Sequence, residues 1–192
     1  GLPTVIAELS DAGLLHRDAP TISENGLEDY AKRALMGNDK NVVYTPAKPS
    51  SDPEILRGAK EPFHQVGGIQ LLQGNLGRGV YKSSAVADNL LTIEAPARVF
   101  QSQTAVKEAQ KAGELHRDVV VVVIGQGPRG NGMPELHNLI PSLGVELDQG
   151  FKIALVTDGR LSGASGKVPA VVHVGPEAQV GGPLAKVRDG DV

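Results

Sequence analysis

The seven residues DVVVVVI, positions 118 to 124, constrain the fold more than any other stretch of this chain. Side chains alternate between the two faces of a strand. Five valines in succession therefore leave neither face for water, and such a run fits a central strand covered on both sides. FKIALVTDG (151 to 159) and VPAVVHV (168 to 174) have the same character. Between strands of this kind, TAVKEAQKAG (104 to 113) places Ala105, Val106, Ala109 and Ala112 at helical spacing and ends on Gly113. A β-α-β step is thus visible, and the fold class is α/β. With three Phe, three Tyr and no Trp, the core must be built from Val, Leu, Ile and Ala.

Further strands are expected in GIQLLQ, GVYKSSAV and LLTIEAPARVF, with GNLGRG (74 to 79) as the turn between the first two. The beginning of the chain differs. Pro3 suits a first helical turn, and Val5, Ile6, Leu9 and Ala12 follow at helical spacing before Gly13. GLEDYAKRALM (26 to 36) is predicted to be a second helix, capped by Asn25 and stopped by Gly37. The proline-studded stretch from 38 to 62 reads as a linker. Two short helices and a linker cannot form a core. Residues 1–60 are accordingly expected to be the helical tail of a missing N-terminal domain plus a linker, and residues 61–192 a separate strand-rich domain.

Composition excludes several classes of function. With 19 basic and 22 acidic residues, and no basic block interleaved with aromatics, nucleic acid is not an expected partner. No apolar run approaches the roughly 20 residues that span a bilayer, and no signal pattern opens the chain, so the expected location is the cytoplasm. The chain has no cysteine, so it offers neither a disulfide nor a thiolate ligand.

Two glycine-rich stretches follow buried strands. TDGRLSGASGKVP (157 to 169) carries hydroxyls and cations. It is not a P-loop, since Leu161 occupies the first glycine position and Val168 follows Lys167. Nor is it a nucleophile elbow: Arg160 and Ala164 flank Ser162 where glycines are needed, and Lys167 follows Ser165 at the equivalent place. What remains is a loop able to grip a carboxylate or phosphate through backbone amides, Arg160, Ser165 and Lys167. The competing reading is a solvated turn whose glycines serve geometry alone. GQGPRGNGMPELHNL (125 to 139) lies at the edge of the valine strand, where α/β folds place ligands. Glu135 is its only carboxylate and His137 follows two residues later, which is not the spacing of a zinc helix. His16, His64, His116 and His173 are scattered, and His173 is expected to be a hydrogen-bonded structural residue in a strand.

GNLGRGVYKSSAV, EAPARVF, QGPRGNGMPELH, ALVTDGRLSGASGKVPAVVHVGPEA and GGPLAKVRDGD, in that order, resemble the C-terminal part of the dihydroxy-acid and phosphogluconate dehydratase family. SGASGKVP and GMPELH are more similar to its phosphogluconate branch. The match covers most of residues 61 to 191, and GLPTVIAELSDAGLLHRDAPT resembles the segment that precedes them in the family.

The resemblance implies a swivelling β/β/α domain and a lyase that removes water from 6-phosphogluconate in the Entner-Doudoroff route. It also implies an iron-sulfur cluster held by cysteines of the N-terminal domain, a divalent ion such as Mg²⁺, and a homodimer of the full-length enzyme. On this reading the present chain is a C-terminal fragment, inactive alone. Carried over by position, Ser162 is the base that removes the C2 proton and Glu135 is the metal ligand. Arg160, Ser165 and Lys167 are read as substrate contacts, and Asp158 as a residue that hydrogen-bonds the loop. Ile124 and Gly125 depart from the family pattern, which leads one to expect an arginine and an aromatic there. Alternatives are a dehydratase of the same family acting on a dihydroxy acid or another sugar acid, and a non-catalytic module docking through the apolar stripe of residues 3 to 15.

Overall fold

A computed structural model describes residues 1–162 and 166–192. The chain forms two compact units, Gly1–Val66 and Gly67–Val192.

The first unit opens with helix α1 (Leu2–Asp11), with proline in its first turn as expected. The helix predicted over 26–36 is not formed. Only Leu27–Tyr30 is helical (α2), and Lys32–Met36 is a strand (β1) that pairs antiparallel with β2, Val42–Pro46. The β-branched VVYTP segment, read as part of the linker, supplies the partner that the local helical pattern could not anticipate. Cross-strand pairs such as Ala34 with Tyr44 and Leu35 with Val43 then outweigh modest helix propensity. Gly37 closes the hairpin turn, its N–H donating to the Asn41 carbonyl at 2.8 Å. Asn25 does not cap the backbone. It donates to the Asp29 carboxylate together with Ser23 and Lys32. The Lys32 ammonium, aided by Ser23 and Asn25, pulls that carboxyl down to about 2.

In the second unit β3 (Ile69–Gly74) and β4 (Gly77–Lys82) form a hairpin. Only Asn75 and Leu76 turn between them, fewer residues than expected, so Arg78 lies in the strand. The next strand, β5, is limited to Ala97–Phe100. Its predicted upstream half, residues 90–96, starts on the last residue of a 3-10 turn (Asp88–Leu90) and continues as irregular chain to Pro96, whose ring nitrogen has no hydrogen to donate to a ladder. Helix α3 (Gln103–Lys111) follows, capped by the Ser102 hydroxyl, and leads to β6 (Val119–Val123). After the short α4 (Pro128–Asn131) comes α5 (Ile140–Asp148); on spacing alone Glu135 reads as an acid at a helix start, but a 3-10 turn, His137–Leu139, lies between it and the helix. The chain finishes with β7 (Ile153–Thr157) and β8 (Ala170–Gly175), then 3-10 turns at Ala178–Val180 and Pro183–Lys186.

The sheet order is β3-β4-β8-β7-β6-β5. From β5 to β8 the strands run parallel, and β4 and β3 add an antiparallel arm. This agrees with the α/β class. The valine run behaves as an interior strand. Val119, Val121 and Val123 face a core closed by Val106 and Ala109 of α3 and by Ile140 and Leu143 of α5. Val122 faces the opposite side, with Ala97, Val174 and Leu184. Between the helices, Glu146 is fully buried and accepts hydrogen bonds from Gln110 Nε2 (2.8 Å) and His116 Nδ1 (2.6 Å). These partners satisfy a carboxylate that would otherwise be costly in an apolar interior. β3 differs from the other strands of this sheet in being exposed along its whole length.

Leu143→Ala, at a fully buried position on α5, should lower stability by about 2–5 kcal/mol in urea unfolding. Leu71→Ala on exposed β3 should change it by less than about 0.5 kcal/mol.

Candidate active site

The carboxyl ends of the parallel strands meet around one buried carboxylate. Asp158, directly after β7 and only 1% exposed, accepts the backbone N–H groups of Gly125 (3.1 Å), Gln126 (2.8 Å) and Ala178 (2.9 Å). One side chain thereby joins the loop after β6, the loop after β7 and the segment after β8. Three backbone donors compensate its desolvation. Asp158 is a structural tie, as the sequence suggested. Gly159 follows it because the chain passes close to its neighbours: a Cβ there would lie 2.8 Å from both Gln126 Cβ and Leu136 Cδ1. A chain so constrained has one course available.

That course brings Arg160 beside Glu135, in an isolated parallel bridge. The Leu136 N–H donates to the Arg160 carbonyl at 3.2 Å. Glu135 Oε1 accepts the N–H of Ser162 and that of His137, each at 2.9 Å. Its Oε2 accepts from Arg160 Nη1 at 3.1 Å, while Arg160 Nε donates to the Met133 carbonyl at 3.0 Å. Burial pushes the Glu135 carboxyl up, but the two amides and the Arg160 charge together hold it below the usual glutamate range. It is therefore an anion at neutral pH.

Three of the residues singled out in the sequence, Glu135, Arg160 and Ser162, thus come together. Ser162 is exposed, at the mouth of the loop. Lys167 is not brought to them through any contact: its ammonium forms an ion pair with Asp148 at the end of α5. Ser165 lies outside the described residues. His173 departs from the structural role expected of it. Its side chain is exposed, its φ is 54°, and its backbone N–H donates to the Gly159 carbonyl at 2.9 Å.

One residue was missed. Lys82, at the end of β4, donates from Nζ to the Ser162 carbonyl at 2.9 Å. Nothing in GVYKSSAV distinguishes this lysine from a solvated strand residue, because its partner lies 80 positions away. Beside the cluster an open cavity of about 570 Å³ is lined by Arg129, Met133, Asp158, His173 and Glu177 among others, a volume in the range of small-molecule sites.

A carboxylate offers about four acceptor positions, of which Glu135 has three engaged by protein donors. One remains for a hard cation, which favours oxygen ligands. Among the described residues no group of three or more His, Cys, Asp or Glu side chains is placed to hold a metal ion. Glu135 can therefore serve as one ligand among several, the rest coming from elsewhere.

Residues 54–192 match the family described as dihydroxy-acid/6-phosphogluconate dehydratase, C-terminal. Over its whole length the chain is 55% identical to a phosphogluconate dehydratase of Zymomonas mobilis and 54% identical to one of Pseudomonas aeruginosa. It is 38% identical to a dihydroxy-acid dehydratase of Ignicoccus hospitalis. In each case it spans about a third of the relative, 31–32% of its length.

Gly159→Ala should lower the thermal midpoint by an amount equivalent to about 1–3 kcal/mol, since Cβ and backbone atoms of Gln126 must move. For Glu135 the lowered carboxyl pKa means that its contribution is fully present above the unfolded value of about 4.3 and is lost as pH falls through the folded value. Stability measured from neutral pH downward should show the gap between the native chain and Glu135→Gln narrowing at the acid end. A gap independent of pH would contradict this.

Proposed function

Because the chain belongs to the dihydroxy-acid/6-phosphogluconate dehydratase family, we propose that it is the C-terminal part of a hydro-lyase converting 6-phosphogluconate to 2-keto-3-deoxy-6-phosphogluconate. The choice of a phosphorylated sugar acid over a dihydroxy acid rests on the names of the relatives at 54–55% identity, against 38% for the dihydroxy-acid enzyme. Residues 1–60 are read as the end of the N-terminal portion plus a linker, and residues 61–192 as the swivelling domain. The remaining two-thirds of the enzyme would complete the site, with two copies forming a homodimer. Among the described residues no helix is long and apolar enough to cross a membrane, and a cytoplasmic location is part of the proposal.

One observation carries this reading: the Ser162 amide and the Glu135 carboxylate are hydrogen-bonded at 2.9 Å on the carboxyl edge of the sheet. In the proposed reaction the deprotonated Ser162 oxygen takes the proton from C2 as the C3–O bond breaks, the departing hydroxide takes up a proton from solvent to leave as water, Ser162 returns its proton to solvent, and the resulting enol tautomerises to the 2-keto acid. An unassisted serine is too weak a base for that step. A divalent ion bound at Glu135 would supply the positive charge that favours the deprotonated hydroxyl. Arg160 keeps donors beyond the two it uses on Glu135 and Met133, so it can also face an anionic group of the substrate. Ser165 and Lys167 are retained as proposed substrate contacts, with Lys167 having to leave Asp148 to act. An iron-sulfur cluster acting as Lewis acid on the departing hydroxyl would be held outside this chain, which has no cysteine.

In the full-length protein, Ser162→Ala should lower kcat on 6-phosphogluconate by about 10³-fold or more, as removal of a proton-transfer group does. Dehydration of a dihydroxy acid should be slower than that of 6-phosphogluconate. Undiminished turnover in the alanine variant would remove Ser162 from the chemistry.

A further inference from the structure

Ser162 is held at both of its backbone polar groups. Its N–H donates to Glu135 Oε1 at 2.9 Å, and its carbonyl accepts from Lys82 Nζ at 2.9 Å. The two anchors come from different parts of the sheet. Glu135 belongs to the segment after α4, whereas Lys82 is the last residue of β4, in register with Ala170 at the start of β8. After positions 163–165, Gly166 comes close to Ala85. A Cβ on that glycine would lie 3.0 Å from Ala85 Cβ and 3.3 Å from its backbone nitrogen. Residues 82 to 85 therefore support the loop at two points, one before and one after positions 163–165.

We propose that Lys82 is a positioning residue for Ser162, acting through the Ser162 carbonyl while Glu135 holds the amide. The inference rests on the reading of Ser162 as the base. Among the described residues the backbone bridge beside this stretch ends at Arg160, and the Ser162 backbone is hydrogen-bonded to side chains, those of Glu135 and Lys82. With both backbone groups anchored, rotation about χ1 is the main freedom left to the hydroxyl. A displacement of about 1 Å in a reacting group costs on the order of 10²-fold in rate. Lysine suits the task because its ammonium only donates, and two of its three hydrogens remain for other acceptors after one goes to Ser162. Methionine has similar length and no donor. Arginine retains the donor.

The test uses the full-length protein that contains this chain. Lys82→Met should lower kcat by roughly 10- to 100-fold while KM stays within about threefold, and Lys82→Arg should recover most of the loss. Amide hydrogen exchange over residues 159–162 should accelerate in Lys82→Met, with exchange in β6 unchanged. Wild-type kcat and wild-type exchange in Lys82→Met would overturn the proposal. So would an equal loss in the methionine and arginine variants accompanied by faster exchange throughout β6, since that outcome reports general destabilisation. If Lys82→Met does not fold, Lys82→Leu, which likewise has no donor, is judged by the same criteria. Failure here is distinct from failure of the functional reading. An inactive Ser162→Ala beside an unaffected Lys82→Met sinks only the role of Lys82, whereas a fully active Ser162→Ala removes the base itself.

Discussion

The arrangement at the carboxyl edge depends on the Asp158 carboxylate. Three backbone N–H groups from two other segments converge on it. A buried anion without such donors would be expelled or protonated, so the loops after β6 and β8 must come to it. With those loops in place, Gly159 slips between Gln126 and Leu136, and Arg160 reaches the register in which it bridges Glu135. The loop that carries Ser162 thus inherits its position from the buried Asp158 carboxylate.

The edge was legible in the sequence to the extent that it depends on short-range pattern. Five valines could be buried on both faces only in an interior strand, and the strand is there. The two glycine-rich stretches stood out because each follows a buried strand, while the roles of Glu135 and Ser162 came from the family resemblance; the parallel order of β6 and β7 places those strand ends side by side. Long-range partners could not be read. Lys32–Met36 has an acceptable helical composition, and only pairing with Val42–Pro46 makes it a strand. The extent of helix α5 was not read from the sequence; it begins at Ile140 with Pro141 in its first turn, where proline is tolerated. Lys82 and Ser162 are far apart in the chain, and no local spacing connects them. Lys167 looked equivalent to Arg160 from composition, yet its contact is with Asp148.

The chemistry visible in this chain is incomplete in a specific way. On the proposed reading it would supply one oxygen ligand and one hydroxyl beside nearby cations; among the described residues there is no cluster of metal ligands, and the chain has no cysteine. Such a set can finish a reaction centre begun elsewhere. Two amides and an arginine hold the Glu135 carboxylate in place, so the proposed role as a metal ligand would call for little rearrangement.

The hairpin strand β3 lies at the margin of the six-stranded sheet and hydrogen-bonds only to β4 in that sheet, with Ile69 and Leu71 about 70% exposed. An unpaired margin of this kind is a template on which a second polypeptide can add a strand. Such pairing would be edge to edge, along the backbone of β3, and it is the kind of contact that a charged side chain on an edge strand opposes.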